Sequence, residues 1–117
     1  MNKLELAETT TDPKILDELS KDEDFYVRRC VARNSNTTSE TLDYLSSDED
    51  SDVRCYVARN PNTTSEILDY LSKDENSGVR YWVAQNHNCS MKAYKYIKGL
   101  ELLSSFQEPL ECRSNQL

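Results

Sequence analysis

The sequence is poor in residues that turn or interrupt a chain, with two glycines and three prolines among its 117 residues. A fold of many β-hairpins needs more turn-forming residues than that, and no alternating apolar pattern typical of strands is present. The sequence also lacks an apolar run long enough to cross a membrane, and its first residues lack the basic and then apolar pattern of a signal peptide. We therefore expect one small all-α protein that is cytoplasmic and makes no contact with a membrane.

Groups that perform catalysis or hold a metal are equally scarce. The single histidine, His87, falls in a predicted exposed turn, and no Gly-rich phosphate loop, HExxH or GxSxG pattern occurs. The four cysteines lack the close spacing that zinc and iron–sulfur sites need, so we expect no enzyme, no cofactor, no metal and no small-molecule substrate. Two of them carry a specific expectation: Cys30 is a small core residue and Cys55 a candidate reactive surface thiol. The cysteines are Cys30, Cys55, Cys89 and Cys112.

Positive charge is in the minority, since 14 Lys and Arg stand against 21 Asp and Glu for a net charge of −7. Proteins that bind nucleic acid in a sequence-independent way do so through clustered cations on one face. The charge therefore argues against direct binding of nucleic acid.

What the sequence does contain is a repeat. Val27-Arg28, Val53-Arg54 and Val79-Arg80 are spaced 26 residues apart, and residues 36–60 match residues 62–86 at 18 of 25 positions. A degraded earlier unit includes Leu16 and Leu19, and a last half unit ends near Ile97. Atypical units at both ends are typical of caps on a stacked array.

Each unit is predicted to form two short helices. The first, Ser51 to Arg59, has an apolar stripe of Val53, Tyr56 and Val57, and Asn60 followed by proline is a stop signal in which Asn tolerates the left-handed conformation. The second is predicted to open with a capping box between Thr63 and Glu66. The corresponding start in the first unit is Asp12 as the cap, followed by Pro13 as the first helical residue. Its buried stripe is Ile67, Leu68 and Leu71.

Helices of this length are marginal alone in water, so the units must stack to bury their stripes. The prediction is an all-α, right-handed α-solenoid of about four 26-residue two-helix repeats. Residues 1–106 form a single helical-repeat domain, in which Leu100, Leu102, Leu103 and Phe106 extend the last helix and cover the exposed end of the stack. Residues 107–117 form a polar C-terminal tail.

The string VRCYVARNPNTTSEILDYLSKDE, residues 53–75, resembles the leucine-rich repeat variant family, whose units have a Val-Arg, Val-Ala, Asn-Pro and Leu-x-x-Leu order. The resemblance covers roughly residues 4 to 98. It implies a right-handed superhelix, related in shape to armadillo and HEAT arrays, in which α-helices and 3₁₀-helices alternate. Some family members carry an N-terminal Cys-rich iron–sulfur module, and this chain lacks that Cys-rich segment.

Acidic residues recur at one phase of the repeat, in the loops before the first helices. They are candidates for an acidic ridge that binds a basic partner or imitates nucleic-acid phosphates; the alternative is that they only cap helices and oppose the helix dipole. Asp48, Asp50 and Asp52 have the spacing of a calcium loop, but Val53 stands where that loop needs glycine. The ridge residues are Asp22, Asp24, Asp48, Asp50, Asp52 and Asp74.

Arginines and tyrosines supply the other candidates. Arg28, Arg54 and Arg80 are predicted to be half-buried, to pair with Asp24, Asp50 or loop carbonyls, and to hold the units together. Other side chains project away from the apolar stripe, where a specific surface would be formed. The tyrosine column of the second helices either packs along the seam between units or contacts a partner. Trp82, at the repeat position of Cys30 and Tyr56, is expected to lie in the core near the C-terminal cap. The partner-binding candidates are Arg29, Arg33, Arg59, Tyr44, Tyr70, Tyr81 and Tyr96.

The leading expectation is a non-catalytic module that binds another protein, as a scaffold, adaptor or regulator. The alternative is an acidic nucleic-acid mimic that inhibits a nucleic-acid-binding protein or a nuclease.

Overall fold

A computed structural model describes residues 1–107, with side chains to residue 103, and within that part of the chain every regular element is an α-helix. The all-α prediction is confirmed. The odd-numbered helices match the predicted first helices of the repeat, and the even-numbered helices match the second. The helices are α1 (Lys3–Thr9), α2 (Pro13–Leu19), α3 (Phe25–Arg33), α4 (Ser39–Leu45), α5 (Ser51–Arg59), α6 (Ser65–Leu71), α7 (Ser77–Gln85) and α8 (Met91–Gln107).

The odd-numbered helices pack on one another in series, α1 on α3, α3 on α5 and α5 on α7. Each of α2, α4 and α6 contacts the odd-numbered helices before and after it, and α8 contacts α7. The resulting body is elongated, with principal extents of 64 × 26 × 17 Å. None of the helices in residues 1–107 is long and apolar enough to cross a membrane.

The predicted apolar stripes form one continuous core. Val53, Val57, Leu68 and Leu71 have no exposed surface, and their equivalents in the other units are buried with them. Tyr56 is different: it was predicted as part of the stripe, but its ring is only half-buried at the edge of the core.

Side-chain caps determine where the odd-numbered helices begin and end. The carboxylate of Asp50 accepts hydrogen bonds from the N–H groups of Asp52 and Val53, and Asp24 and Asn76 cap α3 and α7 in the same way. The left-handed conformation predicted for Asn60 is wrong, because its backbone is extended, with φ −71° and ψ 128°. An extended residue directs the chain away from the helix axis, and the Asn60 side chain is then free to bond to backbone carbonyls of the preceding unit.

The predicted capping box between Thr63 and Glu66 is wrong, because the cap is one residue later and the residue three after it is Ile67, which has no polar side chain to bond back. Thr64 is the cap of α6, its hydroxyl accepting from the N–H of Ile67, whereas Thr63 is fully buried and donates its hydroxyl to the Val57 carbonyl at 2.6 Å. Either threonine could cap the helix, and burial against α5 assigns Thr63 to another partner. The predicted start of α2, with Asp12 as cap and Pro13 as first residue, is confirmed.

The alternation of α- and 3₁₀-helices that the family resemblance implies is not found in residues 1–107, where even the seven-residue helices are α-helices. Hydrogen bonds to the carbonyl three residues back occur at helix ends and in the turns, including the turns that follow the seven-residue helices. There the N–H of Asp48 donates to the Leu45 carbonyl and the N–H of Asp74 to the Leu71 carbonyl, each three residues back at 3.0 Å.

The asparagine that ends each of α3, α5 and α7 links consecutive units. The side-chain amide of Asn60 donates to the carbonyl oxygens of Ala32 at 2.8 Å and Asn34 at 3.0 Å, both in the preceding unit. Asn34 and Asn86 make the corresponding bonds to their own preceding units. These amides are buried, so each bond satisfies a donor and carbonyls that water reaches poorly.

The last helix extends as predicted through Leu100, Leu102 and Leu103 to Gln107. The prediction that these leucines cover the end of the stack is wrong for two of them, since Leu102 is 58% exposed and Leu103 57% exposed. The side chain of Phe106, and all of the predicted tail after Gln107, lie outside the described residues.

Candidate protein-interaction surface

Alternating aromatic rings and guanidinium groups form a ladder across three helices. The guanidinium carbon of Arg29 lies 5.4 Å from the ring centre of Tyr26 and 5.7 Å from that of Tyr56. The guanidinium carbon of Arg59 lies 5.2 Å from the Tyr56 ring and 4.3 Å from the Trp82 ring. These distances are within the range of cation–π attraction, so the order Tyr26, Arg29, Tyr56, Arg59, Trp82 is a contiguous series of favourable contacts.

Arg33 joins this series at its centre. Its guanidinium carbon lies 5.3 Å from the Tyr56 ring, so three arginines surround one tyrosine. We call the six residues the arginine–aromatic ladder: Tyr26, Arg29, Arg33, Tyr56, Arg59 and Trp82. A cleft of about 160 Å³ opens within it, lined by Arg33, Tyr56, Arg59, Asn60 and Pro61.

The ladder follows from helix geometry and stacking together. Arg29 and Arg33 are four residues apart on α3, and Tyr56 and Arg59 are three apart on α5, so each pair shares a helix face. Packing of α3 on α5 then brings the arginines of one helix over the ring of the next. Sequence reasoning singled out all three arginines but missed Tyr56 and Trp82 as parts of the surface. The sequence feature that could have identified them is the repeat position shared by Cys30, Tyr56 and Trp82, which is aromatic in the later units.

Tyr81 extends the aromatic part of this surface. Its ring meets the Trp82 ring edge-on, with centroids 5.1 Å apart, and its side chain is 49% exposed. Trp82 was predicted to be a core residue near the C-terminal cap. It contacts the core on one side but is only half-buried. The Arg59 guanidinium lies over its ring.

The remaining tyrosine candidates are not part of the ladder. Tyr44 and Tyr70 lie on the second helices and Tyr96 on α8, and 44–59% of each is exposed. No stacking between their rings occurs among the residues described. The Tyr70 hydroxyl lies 3.2 Å from the Ser47 hydroxyl of the preceding unit, so this column reaches across the seam by a polar contact.

Four of the acidic-ridge residues lie within ion-pair distance of a cation, and three of these pairs are at 2.9 Å or closer. Asp48 binds Arg28, with 2.8 Å between its carboxylate and Nε, and Asp74 binds Arg54 in the same way at 2.7 Å. These side chains are 8–13% exposed, and the hydrogen bond that each arginine donates to its aspartate raises the pKa of the arginine, although burial opposes this. Asp22 binds Lys3 at 2.9 Å.

The carboxylate partners of Arg28 and Arg54 differ from those expected. Asp24 and Asp50, four residues earlier, are occupied as helix caps, and the bound aspartates lie 20 residues later in the chain. The expected bonds to loop carbonyls are present, since Arg28 donates to Asp22 and Arg54 donates to Asp48 at 2.8 Å. Each arginine thus connects the two loops that flank its helix pair.

Of the six ridge residues, Asp24 and Asp52 are exposed, and the side chain of Asp52 has 60% of its surface accessible. Its carboxylate lies 4.0 Å from the Arg29 guanidinium, next to the ladder. The acidic residues are therefore spread among ion pairs, caps and the margin of the ladder.

The candidates for reactive chemistry are placed as follows. Cys55 is half-buried, and burial raises the pKa of its thiol, so the predicted reactive surface thiol is wrong. Cys30 contacts the core as expected, and burial raises its pKa too. His87 lies in an exposed turn. Within the part of the chain described, no group of three or more His, Cys, Asp or Glu side chains is placed to hold a metal ion.

No protein-family model, curated protein or solved structure matches this chain. A function for this chain can therefore be inferred only from the geometry of its surface.

Proposed function

We propose that this protein is a non-catalytic protein-binding module, built as a right-handed α-solenoid of about four 26-residue units in the manner of the leucine-rich repeat variant family. Two observations support the architecture. The odd-numbered helices pack in series, and the asparagine bonds between units recur with the period of the sequence repeat. A protein of this kind binds through shape and surface chemistry.

The observation that supports a binding surface is the convergence of Arg29, Arg33 and Arg59 on the ring of Tyr56, with Trp82 beside them. Arg, Tyr and Trp are the residues enriched at protein interfaces and at their energetic hot spots. Contacts between rings and guanidinium groups restrict these side chains before a partner arrives, which reduces the entropy lost on binding. We therefore assign partner binding to the arginine–aromatic ladder, with Tyr81 at its margin.

The acidic nucleic-acid mimic is the less favoured function. A mimic needs a row of accessible carboxylates, but Asp48 and Asp74 are almost completely covered by Arg28 and Arg54. Their charges are balanced locally, so they contribute little to a long-range negative field.

The test is capture of partner proteins from native lysate with crosslinking, comparing the wild type with a triple variant of the ladder, Arg29→Gln, Arg33→Gln and Arg59→Gln. The control removes the same charge from exposed lysines away from the ladder, by Lys73→Gln, Lys92→Gln and Lys95→Gln. We expect a specific partner that the control retains and the ladder variant loses. No crosslinked partner of the wild type, or equal loss in both variants, would contradict the proposal.

A further inference from the structure

The ladder holds positive charge that the protein itself does not neutralise. Among the side chains described, those of residues 1–103, Arg33 and Arg59 take part in no ion pair and donate no hydrogen bond, in contrast to Arg28 and Arg54 in the same helices. Among the described side chains, the one carboxylate within 4.0 Å of a ladder guanidinium belongs to Asp52, and the distance between its oxygen and the Arg29 guanidinium nitrogen is 4.0 Å. On a protein of net charge −7, two adjacent arginines without carboxylates are an unusual local surplus of positive charge.

The two guanidinium groups are also held ready to bind an anion. Both lie close to the Tyr56 ring, at 5.3 and 5.2 Å, and Arg59 is further fixed by Trp82. A cation–π contact uses the charge of a guanidinium and leaves its N–H donors free for hydrogen bonds. A carboxylate that enters between them would meet donors from two sides and form charge-assisted hydrogen bonds.

The cleft between these arginines is small. Its volume of about 160 Å³ suits one side chain, and the Tyr56 ring and Pro61 give it an apolar wall against which methylene groups can pack. Because the ladder crosses α3, α5 and α7, whose axes are about 8–10 Å apart in packed helices, its length is roughly 16–20 Å. An extended peptide at about 3.3 Å per residue spans that length with about six residues.

From these features we propose that the ladder binds an extended acidic segment of the partner protein, and that one Asp or Glu side chain of that segment occupies the cleft between Arg33 and Arg59. This inference depends on the proposed function and specifies the chemistry of the partner. A long nucleic acid fits less well, because the ladder offers few cations and the rest of the protein repels a polyanion.

Trp82, the only tryptophan of the chain, makes the test direct, because its ring lies 4.3 Å from the Arg59 guanidinium carbon. The probe is a Gly–Ser peptide of about eight residues with two glutamates three positions apart, and the control peptide has glutamines in their place. Trp82 fluorescence and NMR shifts of the arginine Nε–H groups report binding up to millimolar peptide. We expect saturable binding of the glutamate peptide, weakened about tenfold or more in Arg33→Gln/Arg59→Gln.

The matched control for charge, Lys73→Gln/Lys92→Gln, should bind the glutamate peptide as the wild type does. Circular dichroism establishes that both double variants are folded. The inference is overturned if the glutamine peptide binds equally well, if the glutamate peptide does not bind, or if the arginine variant binds unchanged. Tighter binding of a phosphoserine peptide or of oligothymidylate would also overturn it, in favour of a phosphate ligand.

The two proposals fail in different ways. If lysate capture depends on the ladder but the glutamate peptide does not bind, the carboxylate assignment is wrong and the protein-binding function stands. If the peptide binds but the wild type captures no protein, the binding chemistry is correct and the proposed function is contradicted.

Discussion

Asn60 and Asn34 occupy the same position in consecutive units, and the side-chain amide of Asn60 donates to the backbone carbonyl of Asn34 at 3.0 Å. The same amide donates to the Ala32 carbonyl, while its own side-chain oxygen accepts from the N–H of Asn62. One buried residue therefore satisfies groups from two units. In this fold an asparagine that looks like a helix stop signal is a link between units.

Replacing Asn60 by alanine should lower the free energy of unfolding by about 2–4 kcal/mol, because the buried Ala32 carbonyl and the Asn62 N–H lose their partner and the Asn34 carbonyl loses one of its two donors. Urea unfolding followed by circular dichroism measures the loss. Asn36→Ala is the control, since Asn36 is exposed and should change stability by less than about 1 kcal/mol. Equal losses would show that the bonds between units add no stability.

Leu68→Ala tests the core stripe. Leu68 has no exposed surface, so removing its side chain should lower the free energy of unfolding by about 2–5 kcal/mol. Leu102→Ala, at a position 58% exposed, should lie within about 0.5 kcal/mol of the wild type. Thermal melting of Leu68→Ala that overlays that of the wild type would contradict the assignment of α6 to the core.

Arg54 and Arg80 form a natural comparison between units. Arg54 binds the carboxylate of Asp74, which lies 20 residues later in the chain. The residue 20 positions after Arg80 is Leu100, so Arg80 has no equivalent aspartate. Among the described residues, Arg80 donates only to the backbone carbonyl of Asp74. Arg54→Met should cost about 3 kcal/mol, because it leaves a carboxylate that is 9% exposed without its cation. Arg80→Met should cost about 1 kcal/mol. Similar losses in urea unfolding would show that the ion pair is not the source of the stabilisation.

The pair of Asp22 and Lys3 predicts a pH dependence. The N–H of Asp24 and the Lys3 ammonium lower the pKa of Asp22 below its ordinary value of 3.8. The folded state therefore releases this proton more readily than the unfolded state. The resulting stabilisation is present at pH values above the ordinary pKa and is lost as the pH falls through the pKa of the folded state.

Asp22→Asn should consequently be less stable than the wild type at neutral pH, with the difference disappearing in acid. Thermal melts across a pH series measure it, and Glu40→Gln, at an exposed position, is the control for loss of one negative charge. A difference between Asp22→Asn and the wild type that persists unchanged at low pH would show that the ion pair is not responsible.

Local features of the fold could be predicted from the sequence because they depend on nearby residues. The bounds of α5 and the buried stripe of α6 follow from apolar spacing within a single helix. The cap of α6 could not be predicted, because Thr63 and Thr64 have the same local potential and burial against α5 chooses between them. The partner of Arg28 could not be predicted from i,i+4 spacing either, because a helix cap had already engaged Asp24.

The candidate surface was predictable only in part. Outward positions on α3 and α5, each taken alone, identified Arg29, Arg33 and Arg59, but their convergence on Tyr56 depends on how far α5 is shifted along α3 when the two helices pack. A repeat period fixes which positions are equivalent and leaves that shift undetermined. The sequence therefore predicts which charged residues face outward, and the packing of the helices determines which guanidinium groups and rings meet.

The asparagine hydrogen bonds also make each junction between units directional. The earlier unit always contributes carbonyl oxygens and the later unit always contributes the amide, as in the bonds of Asn86 to Ala58 and Asn60. Duplicating one central unit would reproduce both halves of every junction, whereas deleting part of a unit would leave a buried amide facing no acceptor. Evolution or design can therefore lengthen such a chain in whole increments of 26 residues, and each increment would add a further rung to the surface.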